Sequence, residues 1–487
     1  MESRTIVVAL LIGILVTVLS SLVPAVRSTR VPPMAALRAT AAPPSRQRRL
    51  VLVAISLLLG AAGLVLVLVG LFGSAPAGTA AGLIGGGAVV IVFAVSFFSP
   101  TLVPPLARVA GWPLERLRRL LGRLSRENAQ RNPSRTAVTA AALMIGLMVV
   151  TFVTVFAAGL KSSVAQVVDE NFAGGLVIQN SDGFSPIPGG AAVAARKVPG
   201  VGAVATIRAE QAKLLPGGSG AKVSAPSRGI EKTVDLEWKE GGPAVLRQLR
   251  DGQAVVSDGF ASDHGLKVGD RFRLLSQSRR RPSFEVAGEF HSKLEVFGSV
   301  LITQAAMARE FGQSQDTIDF VQVKPGANPD EVQAILSKGV ETAFPVAEVL
   351  NQQELKESRE EQVDQLVNLV YALLLLAILI SLFGIANTLA LSIHERRREL
   401  GMLRAIGMSR RQVRTMIRYE AVITALIGGI LGLVLGLIFA TLIAQPLKDE
   451  GFTLSYPVGA LLVLLVLAGL AGVLAAVLPA RRASRLD

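Results

Sequence analysis

The chain has 487 residues, 51% hydrophobic and only 18% charged, against about 25% charged in soluble domains, with a mean hydropathy of +0.51; a purely soluble globular protein is excluded. It has no cysteine and three scattered histidines, His264, His291 and His394, which rules out disulfides and thiolate metal sites and leaves little material for a zinc centre. The formal net charge of +14 raises nucleic-acid binding as a possibility, and the placement of the charges removes it.

Taken in chain order, uncharged apolar runs of the roughly 20 residues needed to cross a bilayer occur over 5–26, 50–73, 78–99, 137–160, 366–393, 421–444 and 457–479. The fold class is therefore a polytopic α-helical membrane protein with seven predicted spans. The first run is too long for a cleaved signal peptide, and Pro24-Ala25-Val26-Arg27 is a poor cleavage site. The loop 27–49 holds six Arg and no acid, and the loop 100–136 eight Arg against Glu115 and Glu127. The loop 394–420 has eight Arg against Glu395, Glu399 and Glu420, and the tail adds Arg481, Arg482 and Arg485. With Asp487, these segments hold 25 of the 50 basic residues and six of the 36 acids, while 161–362 carries 23 basic and 26 acidic residues. All four basic segments share one side when the spans alternate. Basic flanks stay cytoplasmic, which predicts an N-terminus outside, a C-terminus inside and 161–362 outside. The positive charge marks topology, with no nucleic-acid partner.

The segment "VPAVRSTRV" (23–31) after the first run matches "LPARRASRL" (478–486) after the last, without gaps at Pro, Ala, Arg and the final Arg. The first run thus reads as the terminal span of an earlier copy of the unit made by spans four to seven, and the chain as the later part of a two-copy protein or its descendant. "PLERLRRLLGRLSREN" (113–128) predicts a helix starting at Pro113, with a stripe of Leu114, Leu117, Leu121 and Leu124 beside Arg116, Arg119, Arg123 and Arg126. That pattern suits a helix lying in the membrane interface, where membrane lipids are its partner.

Two helical extensions flank the large outer segment. "KSSVAQVVDENF" places Val164, Val167 and Val168 at helical spacing, and "NQQELKESREEQVDQLVNLVY" places Val363, Leu366 and Val370 on one face. Together they predict a stalk. Between them "GGLVIQ", "VGAVATIRAE", "QAVVSDGFA", "DRFRLL", "SFEVAGEF", "GSVLIT" and "IDFVQVKP" read as strands, and "PDEVQAILSKGVET" as a helix opening at Pro329. This is a mixed α/β extracytoplasmic domain on a helical stalk.

No phosphate loop, H-E-x-x-H, G-x-S-x-G or Ser-His-Asp set occurs; Asp263-His264 reads as turn chemistry. The spans hold no charge to couple an ion, and Asn387 and Thr388 are the main polar pair within one. Catalytic, cofactor and metal residues are all expected to be absent. A second molecule must supply the energy for any work.

The basic stretch 394–414 asks for more than a membrane anchor does. Glu395 to Ile406 is rich in helix formers, with Leu400, Leu403 and Ile406 near one face. Gly407 suits a left-handed stop, and Ser409 an N-cap, with Gln412 three residues on completing a capping box. A helix, a reversal and a restart at the basic side suggest a handle that fits a protein groove.

"ERRRELGMLRAIGMSRRQVR" resembles the signature of the FtsX/MacB-type permeases of ABC transporters, with Glu395, Arg396, Glu399, Leu400, Leu403, Arg404, Ala405, Gly407 and Met408 at matching positions. The family's unit is one span, a large extracytoplasmic domain and three spans; "RNPSRTAVTAAALMIG" resembles its start, and "AVVSDGFASDHGLKVGDRFRL" with "FEVAGEF" its outer domain. The resemblance implies five segments: 1–40, the terminal span of a preceding unit; 41–112, a two-span connection; 113–160, the interfacial helix and first span; 161–362, a MacB-like core domain with stalk; and 363–487, a three-span permease domain with the coupling helix. It further implies that Glu395, Arg396, Glu399, Leu400, Leu403, Arg404, Gly407 and Met408 dock a cytoplasmic ATPase dimer, with Ser409 and Gln412 restarting the chain. The chain would be a non-catalytic subunit of the cell membrane, with ATP bound by the partner. It would pair with a second permease unit, an identical chain or a preceding half. The implied work is export or extraction of a lipid, lipoprotein, peptide or drug. The alternative is a signal transmitter activating an extracellular cell-wall hydrolase, and a third reading is a receptor with inert spans.

Overall fold

The computed structural model describes residues 46–73, 77–131, 133–171, 175–183, 185–230, 236–291, 297–448 and 452–483, with scattered positions between 10 and 26. The span expected over 5–26 is described only in part, the repeated segment at 23–31 falls largely outside those residues, and so do the last positions of its counterpart at 478–486. Among the described residues six helices are long and apolar enough to cross a membrane.

The first two are α1 (Arg46–Phe72) and α2 (Ala77–Leu117). They approach through glycine: a Cβ on Gly63 would lie 2.9 Å from the Gly87 carbonyl oxygen, and one on Gly87 2.7 Å from that of Gly63. Small residues substitute here for the hydrophobic drive that lipid removes. The sequence predicts a helix starting at Pro113, but α2 runs through Pro113 to Leu117, and after a break at Arg118 a separate helix, α3 (Arg119–Arg131), begins. The cause is a fold-back. Gly122 sits so close to the end of α2 that a Cβ would meet the Leu114 carbonyl oxygen at 2.5 Å, and Arg126 pairs with Glu115 at 2.5 Å. The leucine stripe divides accordingly. Leu121 is buried and Leu124 packs beside it, Leu114 is half-buried against α4, and Leu117 is exposed.

From α4 (Pro133–Asn171) the chain enters a ten-stranded sheet. Its strands are β1 (Leu176–Asn180), β2 (Val201–Leu215), β3 (Gly220–Pro226), β4 (Glu237–Glu240) and β5 (Gln253–Ser257). The rest are β6 (Arg271–Leu275), β7 (Ser283–His291), β8 (Val300–Leu301), β9 (Ile318–Val323) and β10 (Ala347–Leu350). The order is β10-β1-β9-β2-β3-β8-β5-β7-β4, and β6 joins β2 to β7. That extra strand closes β2, β3, β8, β5, β7 and β6 into a ring, filled by Leu274, Phe272, Phe284, Val256 and Met307. The other half is open. There β10, β1, β9 and the start of β2 are covered by α5 (Gly190–Ala195) and, beyond α6 (Pro243–Gln248), α7 (Asp258–His264) and α8 (Gln304–Ala306), by α9 (Pro329–Ala343). Ile178, Ile187, Val321 and Leu336 fill that core. β2 serves both, pairing β9 over 201–207, β3 over 207–213 and β6 over 213–215.

The expected strands form, with differences at their ends. "QAVVSDGFA" stops at Ser257, whose hydroxyl accepts from the Phe260 N–H at 3.2 Å and so starts α7. His264 ends that helix, bonded to Ser219 and to the Phe260 carbonyl, ahead of the left-handed Gly265. β3, β4 and β10 have no counterpart in the sequence reading, because "AKVSAP", "EWKE" and "AEVL" are short and carry weak apolar alternation. β9 buries one carboxyl completely: both oxygens of Asp319 lack a hydrogen-bond partner among the described residues. Desolvation, reinforced by Asp316 and opposed by Arg196 and Arg208, raises its pKa to about 8.

The chain returns through α10 (Gln352–Glu395), a nine-residue α11 (Arg397–Ala405), α12 (Arg410–Leu447) and α13 (Val458–Ala483). Asn351 starts α10 with a complete capping box to Glu354. On α12, Gly428, Gly432 and Gly436 lie against the backbone of α4; a Cβ at each would stand 2.5, 2.5 and 2.6 Å from the carbonyl oxygens of Ala140, Met144 and Met148. This i, i+4, i+8 row lets two backbones touch, which is how helices associate within lipid. Gly472 of α13 meets Ala421 and Ala425 of α12 in the same way.

Candidate functional site

The stretch from Glu395 to Gln412 forms a compact reversal at the end of the bundle remote from the sheet. α10 ends at Glu395, Arg396 is a non-helical link (φ −99°, ψ 17°), and α11 follows. At the far end of α11 the Met408 N–H donates to the Leu403 carbonyl and the Gly407 N–H to that of Arg404, each at 3.0 Å, with Gly407 at φ +108°. This is a Schellman stop, and glycine is the residue that tolerates it. Ser409 then caps α12: its hydroxyl accepts from the Gln412 N–H at 3.3 Å, and the Gln412 side chain accepts from the Ser409 N–H at 2.7 Å.

Leu400 is 5% exposed and packs with Leu121, Val413, Met416 and Ile417, with Leu403 and Met408 against the same cluster. The charged members of the set are half-buried or exposed, and three of them make ion pairs. Glu395 pairs with Arg135 of α4 at 2.6 Å, and Arg396 with Glu399 at 2.9 Å and with Glu420 of α12 at 3.7 Å. Arg404 is half-buried and Gly407 exposed. The sequence groups Ile406 with Leu400 on one stripe, and the structure separates them. Six residues at about 100° each bring Ile406 round to a different face, where it is 82% exposed beside Met402 at 64%. The outward surface is therefore centred on Met402 and Ile406, one turn apart, with exposed Arg397, Arg398, Glu399, Gly401 and Ala405 around them.

Sequence reasoning missed Met402, although its i, i+4 spacing to Ile406 was the available signal. It also missed Arg135 and Glu420 as anchors, since nothing local joins them to α11.

α4 and α10 connect this reversal to the sheet. Beyond Arg135–Glu395 they are tied by Thr154 and Tyr371 at 2.8 Å, Lys161 and Asp364 at 2.7 Å, and Asp169 and Lys356 at 2.5 Å. At the sheet, Val168 and Leu355 enter a core with Phe290, Leu301 and Phe320, and Val164 packs against it. Arg359 donates to the Gln179 side chain at 2.9 Å and to the Gly183 carbonyl at 3.0 Å. Leu366, expected on the stalk's apolar face, points away and is exposed. Within the spans, Thr388 bonds back to Gly384 of its own helix and Asn387 is exposed. Among the described residues no group of acids and histidines could hold a metal.

Residues 371–487 match the FtsX-like permease C-terminal family, and residues 136–338 match the MacB-like periplasmic core domain. The chain is similar to the macrolide export ATP-binding/permease protein MacB of Bordetella avium, 30% identical over 188 residues, which are 37% of this chain and 28% of that protein. It is also similar to an uncharacterized ABC transporter permease protein of Mycobacterium tuberculosis, 24% identical over 341 residues, 67% of this chain and 39% of that protein. The matches thus span well under half the length of these relatives. Among solved structures, the periplasmic region of MacB from Actinobacillus actinomycetemcomitans aligns with 40% of this chain and 95% of its own, at 12% identity and a TM-score of 0.31.

Proposed function

The chain belongs to the ABC transporter permease family, as an FtsX-like permease with a MacB-like periplasmic core domain, and from that premise we propose that it couples ATP hydrolysis on a separate cytoplasmic ATPase dimer to motion of its outer domain. The work served is export or extraction of a substrate from the class of lipids, lipoproteins, peptides and drugs. The chain itself is the non-catalytic subunit, with its C-terminus cytoplasmic and a second permease unit completing the assembly. The observation that carries this reading is the α11 reversal. A nine-residue helix held at both ends, with Met402 and Ile406 exposed, offers an apolar knob to a partner groove. The placement of 25 of the 50 basic residues on four same-side segments supports a cytoplasmic position for that knob.

The α4–α10 ties supply the route: a displacement of α11 pulls on Glu395 and Arg396, hence on α4 and α12, and the stalk delivers it to the sheet. Such a lever serves transport without a path for substrate through the spans. It would serve equally to activate an extracellular hydrolase.

Co-purification from native membranes tests the docking. The wild-type chain should bring down an ATPase subunit, and the double variant Met402→Glu, Ile406→Glu should lose it while keeping its melting temperature. Retention of the ATPase by that variant overturns the docking surface. Crosslinking from the outer domain in cells then separates the two kinds of work: a lipid, peptide or drug adduct supports transport, and a hydrolase adduct replaces it with signalling.

A further inference from the structure

The break between α2 and α3 leaves five consecutive side chains exposed, Arg116, Leu117, Arg118, Arg119 and Leu120, with Leu117 at 73% and Leu120 at 66%. One turn back on α2, Trp112 is 53% exposed, and the guanidinium carbon of Arg116 stands 3.9 Å over its ring. That contact holds the cation against the indole without neutralising it. The leucine stripe expected from the sequence supplies only Leu117 to this surface, because Leu121 turns into the bundle and Leu114 is half-buried against α4.

The three arginines meet no acid among the described residues. Of the six acids in the four basic segments the structure describes five, and each is engaged elsewhere: Glu115 by Arg126, Glu127 by Arg123, Glu395 by Arg135, and Glu399 and Glu420 by Arg396. The sixth, Asp487, lies outside the described residues, and one carboxylate cannot balance three guanidinium groups. The depth of the corner follows from α12. The Ser125 hydroxyl of α3 donates to the Met416 carbonyl at 2.9 Å, and Leu121 packs on Val413 and Met416. Met416 stands five residues before Ala421, where the uncharged run 421–444 begins, so α3 meets α12 about 7–8 Å outside the hydrocarbon edge. That is the layer of lipid head groups, about 5–8 Å thick on each face of a bilayer. Arginine at this depth reaches phosphate, while Trp and Leu settle toward the acyl chains.

We propose that this corner binds anionic phospholipid of the adjoining leaflet, with the net-negative head group on Arg116, Arg118 and Arg119 and with Trp112, Leu117 and Leu120 seated at the acyl boundary. Topology accounts for the side on which the arginines lie. It does not account for two leucines and a tryptophan left exposed among them. The site goes beyond the proposed coupling and does not rest on it, because lipid binds with neither nucleotide nor ATPase present.

Trp112 itself reports the lipid. The chain has two tryptophans, and Trp238 belongs to β4 of the outer domain, so Trp238→Phe leaves Trp112 as the single indole of the full chain. If that variant melts early, the difference in emission between the wild type and Trp112→Phe gives the same signal. In phosphatidylcholine nanodiscs, brominated phosphatidylglycerol and brominated phosphatidylcholine are compared as quenchers at equal mole fraction. Both should quench Trp112, and the anionic lipid should associate more tightly by roughly tenfold, a preference that high salt removes. The triple variant Arg116→Gln, Arg118→Gln, Arg119→Gln should bring the two lipids to equal quenching at an unchanged melting temperature. Leu117→Gln with Leu120→Gln should lower quenching by both. Equal quenching by the two lipids in the parent protein overturns recognition of the anionic head group, and a preference that survives in the triple variant overturns the role of these arginines. Quenching by neither lipid shows that the corner faces water or protein and overturns the site.

Discussion

Arg135 and Glu395 meet at 2.6 Å, so the foot of α4 is tied to the foot of α10 just where α11 departs. Both side chains are partly exposed, and such pairs contribute about 0–1 kcal/mol to stability. Under the proposed coupling its consequence lies in transmission. Reversing either charge, Arg135→Glu or Glu395→Arg, should leave the melting temperature nearly unchanged. Either change should lower the response of the outer domain to ATP, read as a change in spin-label distances between the stalk and the bundle. The double reversal should restore that response. An unaltered response in both single variants removes this pair from the path.

The row of Gly428, Gly432 and Gly436 predicts a strong structural effect. Gly432→Leu must push α12 off the Met144 carbonyl of α4, and overpacking of this kind costs about 1–3 kcal/mol or more. The variant should melt earlier in detergent and yield less protein. Gly384→Ala is the matched control, since a Cβ there meets nothing within 4 Å, and it should melt as the wild type or slightly higher.

The reversal can be loosened without touching its outward face. Ser409→Ala removes one half of the capping box and should cost about 1 kcal/mol. Gly407→Ala forces a side chain into φ +108°, with open space around it, and should cost about 1 kcal/mol in backbone strain. Each should weaken ATPase association less than Met402→Glu, Ile406→Glu does, as measured by pull-down at matched expression.

Asp319 sets a pH dependence of definite sign. Its carboxyl titrates near 3.8 when unfolded and near 8 when folded, so the folded state holds the extra proton between those values. Its contribution is fully present below about pH 4, falls as pH rises through the window to 8, and is flat above it. Asp319→Asn keeps the shape and removes the titration. It should raise the stability at pH 8 by on the order of a few kcal/mol, read as a higher melting temperature, and flatten the profile between pH 5 and 8. An unchanged profile shows that the carboxyl is solvated or paired.

Much of this architecture was legible because it rests on periodicity and punctuation. The spans announce themselves through uncharged length, and Gly407, Ser409 and Gln412 mark a stop and a restart through backbone chemistry that is local in sequence. What could not be read depends on partners distant along the chain. Leu400 turns inward because Leu121 and Met416 wait there, and Pro113 stays within α2 because Gly122 folds back on it. The glycine row on α12 was visible as letters, but its meaning required α4 to be placed opposite.

The fifteen residues of β2 are shared by the closed ring and the open half of the outer sheet. The two halves meet where β2 exchanges β9 for β3 at Ile207, so along β2 motion of one half relative to the other must pass through that strand. Under the proposed coupling, a displacement delivered by the stalk would reach the closed ring by way of that one strand.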